Sequence, residues 1–525
     1  MRTHKKTNIT SATTCSITLT KSYHHHALAA TLTAIALSAA TTAIAMPIEE
    51  RGSTPIDSSM PIAALDKLQS LKNTEQLNPT FPKIQHFTTD NGVPVSFVQT
   101  NELPIVDISL KFNAGSARDT AIRDDGFGIA NMTATMLSQG TAKMDENAFA
   151  AATEQLGINL GAGAYKDMFA ISLRSLSDSE HLDPALSLMQ DMLKTPRFDR
   201  EILERNKAQL MLGLQQQQQD PGSIAGKAFM QALYQDHPYA HPTSGTLETV
   251  PSISQADLQQ FWQQFLVASN ASIAMTGDMT LKQAQQVANQ LTAILPQGKK
   301  AAALPTPTPL SAAQRIDIPF DSSQTTVIIG QIGEQRSADP KILQQQTNFS
   351  IGNDILAGGD FNARLMTEVR KKRGYTYGIY GHMTPMLTKG PYTISFSTRN
   401  DKAEDAIATT LDTINHTLDK GVTHSEVALT KENMKNSFPM SYASNAGINA
   451  TIGMMNFYQL PDSYLSNYTQ RIDTANTETI NTALNTTLTP DEFLIVTVGS
   501  PTKSAAAQKA TPQNSQSSTE IDGKR

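Results

Sequence analysis

Alternation of apolar and polar residues marks the first patterned stretch of the chain. Val93 to Gln99 and Ile105 to Asn113 repeat with the period of two that turns one strand face into a core. Asn91-Gly92 and Glu102-Leu103-Pro104 punctuate these strands as turns. The period then becomes helical. Ile129, Ala130, Met132, Thr133, Met136 and Leu137 share a face and Gly140 supplies a stop, so Gly126 to Thr141 predicts a buried helix of about three turns. After it come a helix from Glu146 to Leu156, a strand pair over Ile158 to Leu176 punctuated by Gly157, Gly161 and Gly163, and a helix from Asp183 to Leu193. A longer helix begins after Pro196, with Phe198-Asp199 at its head, and runs through Leu203, Ala208, Leu210 and Leu214 to end at Asp220-Pro221.

The pattern then recurs. Asp257, Leu258, Phe261 and Phe265 form a helical stripe, followed by a strand from Ala271 to Thr276 that ends in Gly277-Asp278. Near the C-terminus Ile480, Leu484 and Leu488 precede a strand from Phe493 to Val498 that ends in Gly499-Ser500. The shared helix-then-strand ending implies an internal repeat, with a Pro/Ala-rich linker over Lys299 to Ala313 between the copies. The second copy opens with a strand at Thr325 to Gly330 and a helix at Gln344 to Leu356, then reaches Gly358-Gly359. Strands near Tyr377 to Met383 and Tyr392 to Thr398 follow, with helices from Ala403 and Ser425.

Length and composition refine this picture. The chain has 525 residues, enough for two cores, and its 42 basic and 48 acidic residues give a net charge of −6 that favours neither nucleic acid nor an anionic membrane. Arg2, Lys5, Lys6 and Lys21 precede an Ala-rich apolar run from Ala27 to Ala40 and then Ala43-Ile44-Ala45, the pattern of a cleaved export signal spanning residues 1–45. The run is too short for a confident membrane span, so the mature chain is expected to start at Met46, exported and without a stable membrane anchor. Cys15, the sole cysteine, and the triplet His24 to His26 leave with that signal, which removes disulfides and thiolate metal sites from consideration. Residues 46–83 read as an N-terminal extension and residues 501–525 as a disordered tail.

Two motifs carry a resemblance. The spacing G-x-A-x-x-x-x-x-M-L-x-x-G-T over Gly128 to Thr141 resembles the zinc helix of the pitrilysin/insulinase-type peptidases, the inverzincins, in which H-x-x-E-H fills the middle. In that register the ligand, base and ligand positions hold Asn131, Ala134 and Thr135, and the position of the third ligand on the next long helix holds Gly213. Two imidazoles and a carboxylate would bind zinc and activate its water; an amide, a methyl, a hydroxyl and a glycine do not. The segment His237-Pro238-Tyr239-Ala240-His241-Pro242 with Gly245 also matches a loop of the family. Pro238 breaks the helix that would align the two histidines, so it reads as structural.

The run Ala357 to Ile379 resembles the family's C-terminal-domain signature, whose arginine and tyrosine, seven apart, reach across a cleft toward substrate; here they are Arg370 and Tyr377. A guanidinium and a phenol are donors suited to a developing oxyanion. The plainer alternative is a solvated basic face over Arg370 to Arg373, with Tyr377 packed on a strand. Gly358 and Gly359 fit a turn with unusual backbone angles or a close approach of another chain.

The resemblance implies an α+β clamshell of two homologous domains, over 84–298 and 314–500, each a mainly antiparallel sheet against helices, similar to the mitochondrial processing peptidase subunits. It further implies a non-catalytic chain without a metal of its own, which binds peptide and pairs with a zinc-bearing relative. A peptide-binding or assembly-scaffold protein, like the family's degenerate subunits in respiratory complexes, is the alternative.

Overall fold

The sheets follow from the strand patterning, and their order reproduces the repeat. The computed structural model describes residues 81–359 and 361–500. Residues 1–80, where the sequence leads one to expect an export signal with Cys15 and His24 to His26 and most of the extension over 46–83, and residues 501–525 lie outside the described residues.

In the first half the elements are β1 (Gln85–Thr88), β2 (Pro94–Gln99), β3 (Ile105–Phe112), α1 (Ile129–Leu137), α2 (Glu146–Gln155), β4 (Asn159–Ala164), β5 (Phe169–Leu176), α3 (Ser179–Lys194), α4 (Arg200–Gln217), α5 (Pro221–Tyr234), α6 (Gln255–Phe265), β6 (Ala271–Gly277) and α7 (Leu281–Thr292). The second half holds β7 (Gln314–Pro319), β8 (Gln324–Ile332), α8 (Pro340–Ala357), β9 (Thr376–Met383), β10 (Pro391–Arg399), α9 (Ala403–Lys420), α10 (His424–Ser437), α11 (Asn445–Phe457), α12 (Ser463–Ser466), α13 (Tyr468–Thr474), α14 (Thr477–Thr487) and β11 (Leu494–Gly499).

The first sheet runs β1-β2-β6-β3-β5-β4 and the second β7-β11-β8-β10-β9. Without β1 the two orders coincide, and in both the late strand pairs parallel with the first: β6 with β2, β11 with β7. Each remaining pair is antiparallel. One face of the first sheet, with Val106, Ile108, Leu110 and Phe112, packs on α1, α3 and α6; Val327, Ile329, Ile394 and Phe396 of the second pack on α8, α9 and α14.

The other face of each sheet is closed by a helix from the opposite half. Ala225, Phe229 and Leu233 of α5 lie on Leu494, Val496 and Val498 of β11, where a Cβ at Gly330 would come within 3.0 Å of the Phe229 ring. Reciprocally, α11 lies on β2, β3 and β6. Its Ile448 and Ile452 cover Val98 and Ala274. Asn449 Nδ2 donates to the carbonyls of Asp107 (2.9 Å) and Ala274 (3.1 Å), and Asn456 Nδ2 to that of Ile273 (2.9 Å). The two seats differ in chemistry: that of α5 is apolar, whereas under α11 the hydroxyls of Ser109 and Thr276 are buried without partners.

Three departures from the sequence reading have local causes. Asp220-Pro221 does not only follow a helix; Asp220 caps α5 through the Ser223 N–H (2.8 Å) and Pro221 is its first residue. The sequence reading also passed over α11, which Ser444 caps through the Gly447 N–H (3.1 Å). Finally, α3 starts at Ser179 because Asp178 caps it, four residues before the expected Asp183.

If the crossed helices bind the halves into one cooperative unit, Phe229→Ala should cost about 3–5 kcal/mol, as for any fully buried phenylalanine. Denaturant unfolding followed by far-ultraviolet circular dichroism should keep a single transition at a lower midpoint; a split into two transitions would mean that the halves fold independently.

Candidate functional site

Three places bear on function: the α1–α4 face, the loop beneath it, and the end of β9. Helix α1 has no side-chain cap of its own, because its N-cap is Gly128 at φ +101°. The cap comes from Asp119, whose carboxylate accepts from the N–H groups of Gly128 (2.9 Å) and Ala130 (2.8 Å). Ile129, Ala130, Met132, Met136 and Leu137 all sit in the core. Asn131 and Thr135 are half-buried on the remaining face, and Thr135 Oγ1 donates to the Asn131 carbonyl (3.1 Å). Ala134 is 3% exposed, a methyl in the core. Gly213 lies on α4, which packs on α1, and a Cβ there would meet nothing within 4 Å.

These residues do not fit zinc. One amide, one hydroxyl already engaged, a methyl and an empty position offer neither imidazole nor carboxylate. Among the described residues no group of three His, Cys, Asp or Glu could hold a metal ion.

His237 and His241 are occupied structurally. His237 Nδ1 accepts from the Tyr239 N–H (3.1 Å) and Nε2 lies 2.9 Å from the Pro305 carbonyl, while His241 stacks on Phe127 at 3.6 Å between centroids. Gly245 makes this stacking possible, since a Cβ there would come within 2.5 Å of the Phe127 carbonyl.

A buried carboxylate that the sequence reading missed joins the loops around this face. Asp167, 3% exposed, accepts from the hydroxyls of Tyr239 and Tyr458 (3.0 Å for the latter) and from the Leu387 N–H (2.8 Å). Tyr239 belongs to the first half, Leu387 and Tyr458 to the second, so a single carboxylate ties the halves together. Burial pushes its pKa up, and the three hydrogen bonds and the nearby Arg118 charge oppose that. Its place in the turn between β4 and β5, followed by an apolar strand, gave no sequence signal beyond an ordinary turn aspartate.

At the other place Arg370 ends a short π-helical turn, Met366–Lys371, and Tyr377 follows on β9 after Gly374 at φ +63°. The seven residues thus span a helix end and a turn rather than two helical turns. Tyr377 is 85% exposed and not packed, which removes the plainer reading of that residue. Arg370 is half-buried with its guanidinium 4.7 Å from the Phe361 ring, and among the described residues no carboxylate pairs with it. Its neighbours differ: Lys372 and Arg373 both engage Glu368. No hydrogen bond, ion pair or ring contact among the described residues links Arg370 or Tyr377 to the α1–α4 face. A Cβ at Gly358 would lie 2.2 Å from Oδ1 of Asp354 on its own helix and its φ of −66° is ordinary, while a Cβ at Gly359 would meet nothing within 4 Å.

Comparison with known proteins now decides the family. The description "Insulinase (Peptidase family M16)" matches residues 95–247, and "Peptidase M16 inactive domain" matches residues 252–434. A solved structure, the peptidase M16 inactive domain from Pseudomonas fluorescens, is 38% identical with a TM-score of 0.75, covering 80% of this chain and 99% of that one. The chain belongs to the M16 peptidase family. Among curated relatives, the "Non-peptidase homolog YmxG" of Helicobacter pylori is 25% identical over 350 residues, 66% of this chain and 78% of its own length. The "Uncharacterized zinc protease YmxG" of Bacillus subtilis is 23% identical over 365 residues, 69% of this chain and 85% of its own length. This M16 chain is an inactive homologue. Among the described residues no helix is long and apolar enough to cross a membrane.

The Asp119 cap gives a pH dependence with a definite sign. Burial raises its carboxyl from 3.8 to about 7, against the lowering effect of its two N–H donors and of Lys166. Between these values the folded chain holds a proton that the unfolded chain has released, so this group's contribution falls as pH rises from about 4 to about 7. Asp119→Asn should flatten that part of the profile, read as unfolding midpoints across the window in both proteins. An unchanged difference between variant and wild type at every pH would contradict it.

Proposed function

We propose that this chain is the non-catalytic, substrate-binding subunit of an exported zinc endopeptidase of the M16 type, formed with a zinc-bearing relative. The partner supplies metal, water and base. This chain supplies Arg370 and Tyr377 as donors to the oxyanion that forms when the scissile carbonyl is attacked. The observation that carries the reading is the contrast between two ends of one chain: the α1–α4 face has lost every ligand side chain, while Tyr377 stands 85% exposed. A tyrosine that exposed adds nothing to the fold, and the guanidinium nearby in sequence has no carboxylate among the described residues to neutralise it. A π turn at this point also supports the reading, since such turns are uncommon and recur at functional sites. The basic-then-apolar sequence pattern before Met46 supports export, and the want of imidazole and carboxylate on the α1–α4 face supports a reading in which the partner holds the zinc.

Alone, the purified chain is expected to hold no stoichiometric zinc after dialysis and to cut no peptide. Metal analysis giving about one zinc per chain, together with chelator-sensitive cleavage, would sink the proposal.

In the reconstituted pair, Tyr377→Phe or Arg370→Ala should lower turnover by about 10²–10³, the usual loss for one preorganised donor. Gel filtration should show the complex intact in both variants. Wild-type turnover from both within an intact complex would reject the donor role and favour the peptide-binding or scaffold alternative.

A further inference from the structure

A cavity of 330 Å³ opens in the second half, and none of its lining residues belongs to the α1–α4 face or to the Arg370–Tyr377 segment. Two guanidiniums line it, those of Arg336 and Arg471. Arg471 is 9% exposed and donates from Nε to Thr347 Oγ1 (3.2 Å), from Nη1 to the Ser463 carbonyl (2.8 Å) and from Nη2 to the Tyr464 carbonyl (2.5 Å). All of these acceptors are neutral. Arg336 Nη1 donates to Tyr464 Oη (3.2 Å), and its Nε is shut off from solvent without a hydrogen-bond partner. Most of the five N–H donors of Arg336 are therefore uncommitted.

Among the described residues no carboxylate lies within 4.0 Å of either guanidinium. The one carboxylate on the lining, Glu334, accepts instead from Thr487 Oγ1 (3.4 Å), and burial pushes its pKa up, toward the neutral form. A sequestered cation without a counter-ion is costly, and an anion entering the cavity relieves that cost. The rest of the lining includes Leu343, Phe349 and Met434, an apolar surface beside a cationic one.

We propose that this cavity binds a monocarboxylate bearing an apolar or aromatic group, with the carboxylate on Arg336 and Arg471 and the apolar part against Leu343, Phe349 and Met434. A planar carboxylate matches the guanidinium fork. A single negative charge suits a site that already holds Glu334, and a strongly hydrated dianion would be stripped of water beside phenylalanine and methionine. The volume lies at the low end of small-molecule sites, so the occupant is a small acid or the last residue of a peptide chain. The proposal does not depend on the pairing with a zinc-bearing relative.

Calorimetric titration of the full chain tests it with phenylacetate, phenylacetamide, and acetyl-alanyl-phenylalanine carrying either a free or an amidated C-terminus. Saturable binding of phenylacetate, of the free-acid peptide or of both, with the matching amides silent, is the expected result. Phenylacetate alone marks a free acid as the ligand, and the peptide alone marks a chain terminus. Arg336→Gln should weaken that binding roughly tenfold or more, as loss of a charged hydrogen bond does. Ser350→Trp, which fills the cavity from an exposed lining position, should block it while keeping both arginines. No binding tighter than about 10 mM by either acid, equal binding of the amides, or full binding in a folded Ser350→Trp variant would overturn the proposal.

Discussion

A sheet has two faces, and in this chain each half owns helices for only one of them. The second face of each sheet is closed by a helix from the other half, α5 on β8 and β11, α11 on β2, β3 and β6. Leaving Leu494, Val496 and Val498 in water would forfeit roughly 1.5–3 kcal/mol for each side chain. The relative position of the halves is therefore set by core packing rather than by a hinge. Asp167 works within the same constraint. Its carboxylate can be buried because three donors from both halves converge on it, and separating the halves would strip two of them away.

The legible part of the fold was the part with local periodicity. Strand alternation at Val93 to Gln99 and the helical face of Ile129 to Leu137 report burial against neighbours in the same half, and both elements formed as expected. The strands that close the two helix-then-strand endings, β6 and β11, hold the same place in their sheets, each parallel to the first strand of the shared order. What stayed hidden was the crossing. Helix α11 buries Ile448, Ile452 and Met455 but fills the same face with Asn449 and Asn456, because its seat is a polar sheet surface. A helix that packs on serines, threonines and carbonyls carries a weak apolar stripe. Helix α5 has the stripe, yet its Asp-Pro start served equally well as the end of α4.

The candidate site divides along the same line. The want of imidazole and carboxylate at Asn131, Ala134 and Thr135 was readable because a metal-binding helix needs particular side chains at fixed spacing. Why the helix forms without them takes the structure to explain. Its core face and its cap from Asp119 are independent of the ligand face, so Ile129, Met132, Met136 and Leu137 keep the backbone in place whatever occupies positions 131 and 135. Asp119, Asp167, Arg336 and Arg471 gave no comparable sequence signal. Asp167, Arg336 and Arg471 each have a partner far away in the chain, such as Tyr458 for Asp167 at a separation of 291 residues, whereas Asp119 caps a helix whose N-cap, Gly128, lies only nine residues later.

That independence of packing and chemistry also governs the Arg370–Tyr377 end. Val369 and Ile379 are fully buried and anchor the π turn and β9, and Thr376 Oγ1 bonds the Gly378 and Ser397 carbonyls (2.8 and 2.7 Å). Those contacts hold the backbone without the phenol of Tyr377, while the guanidinium of Arg370 rests over the Phe361 ring. On the α1–α4 face Ala134 is a methyl in the core and Gly213 carries no side chain. Near β9 the two side chains are large and polar, one over an aromatic ring and the other almost fully in solvent. An exposed tyrosine brings little burial energy, and an arginine without an ion pair among the described residues gains only its contact with the Phe361 ring, so stability gives little account of their presence. Their use has to be sought in what approaches that surface.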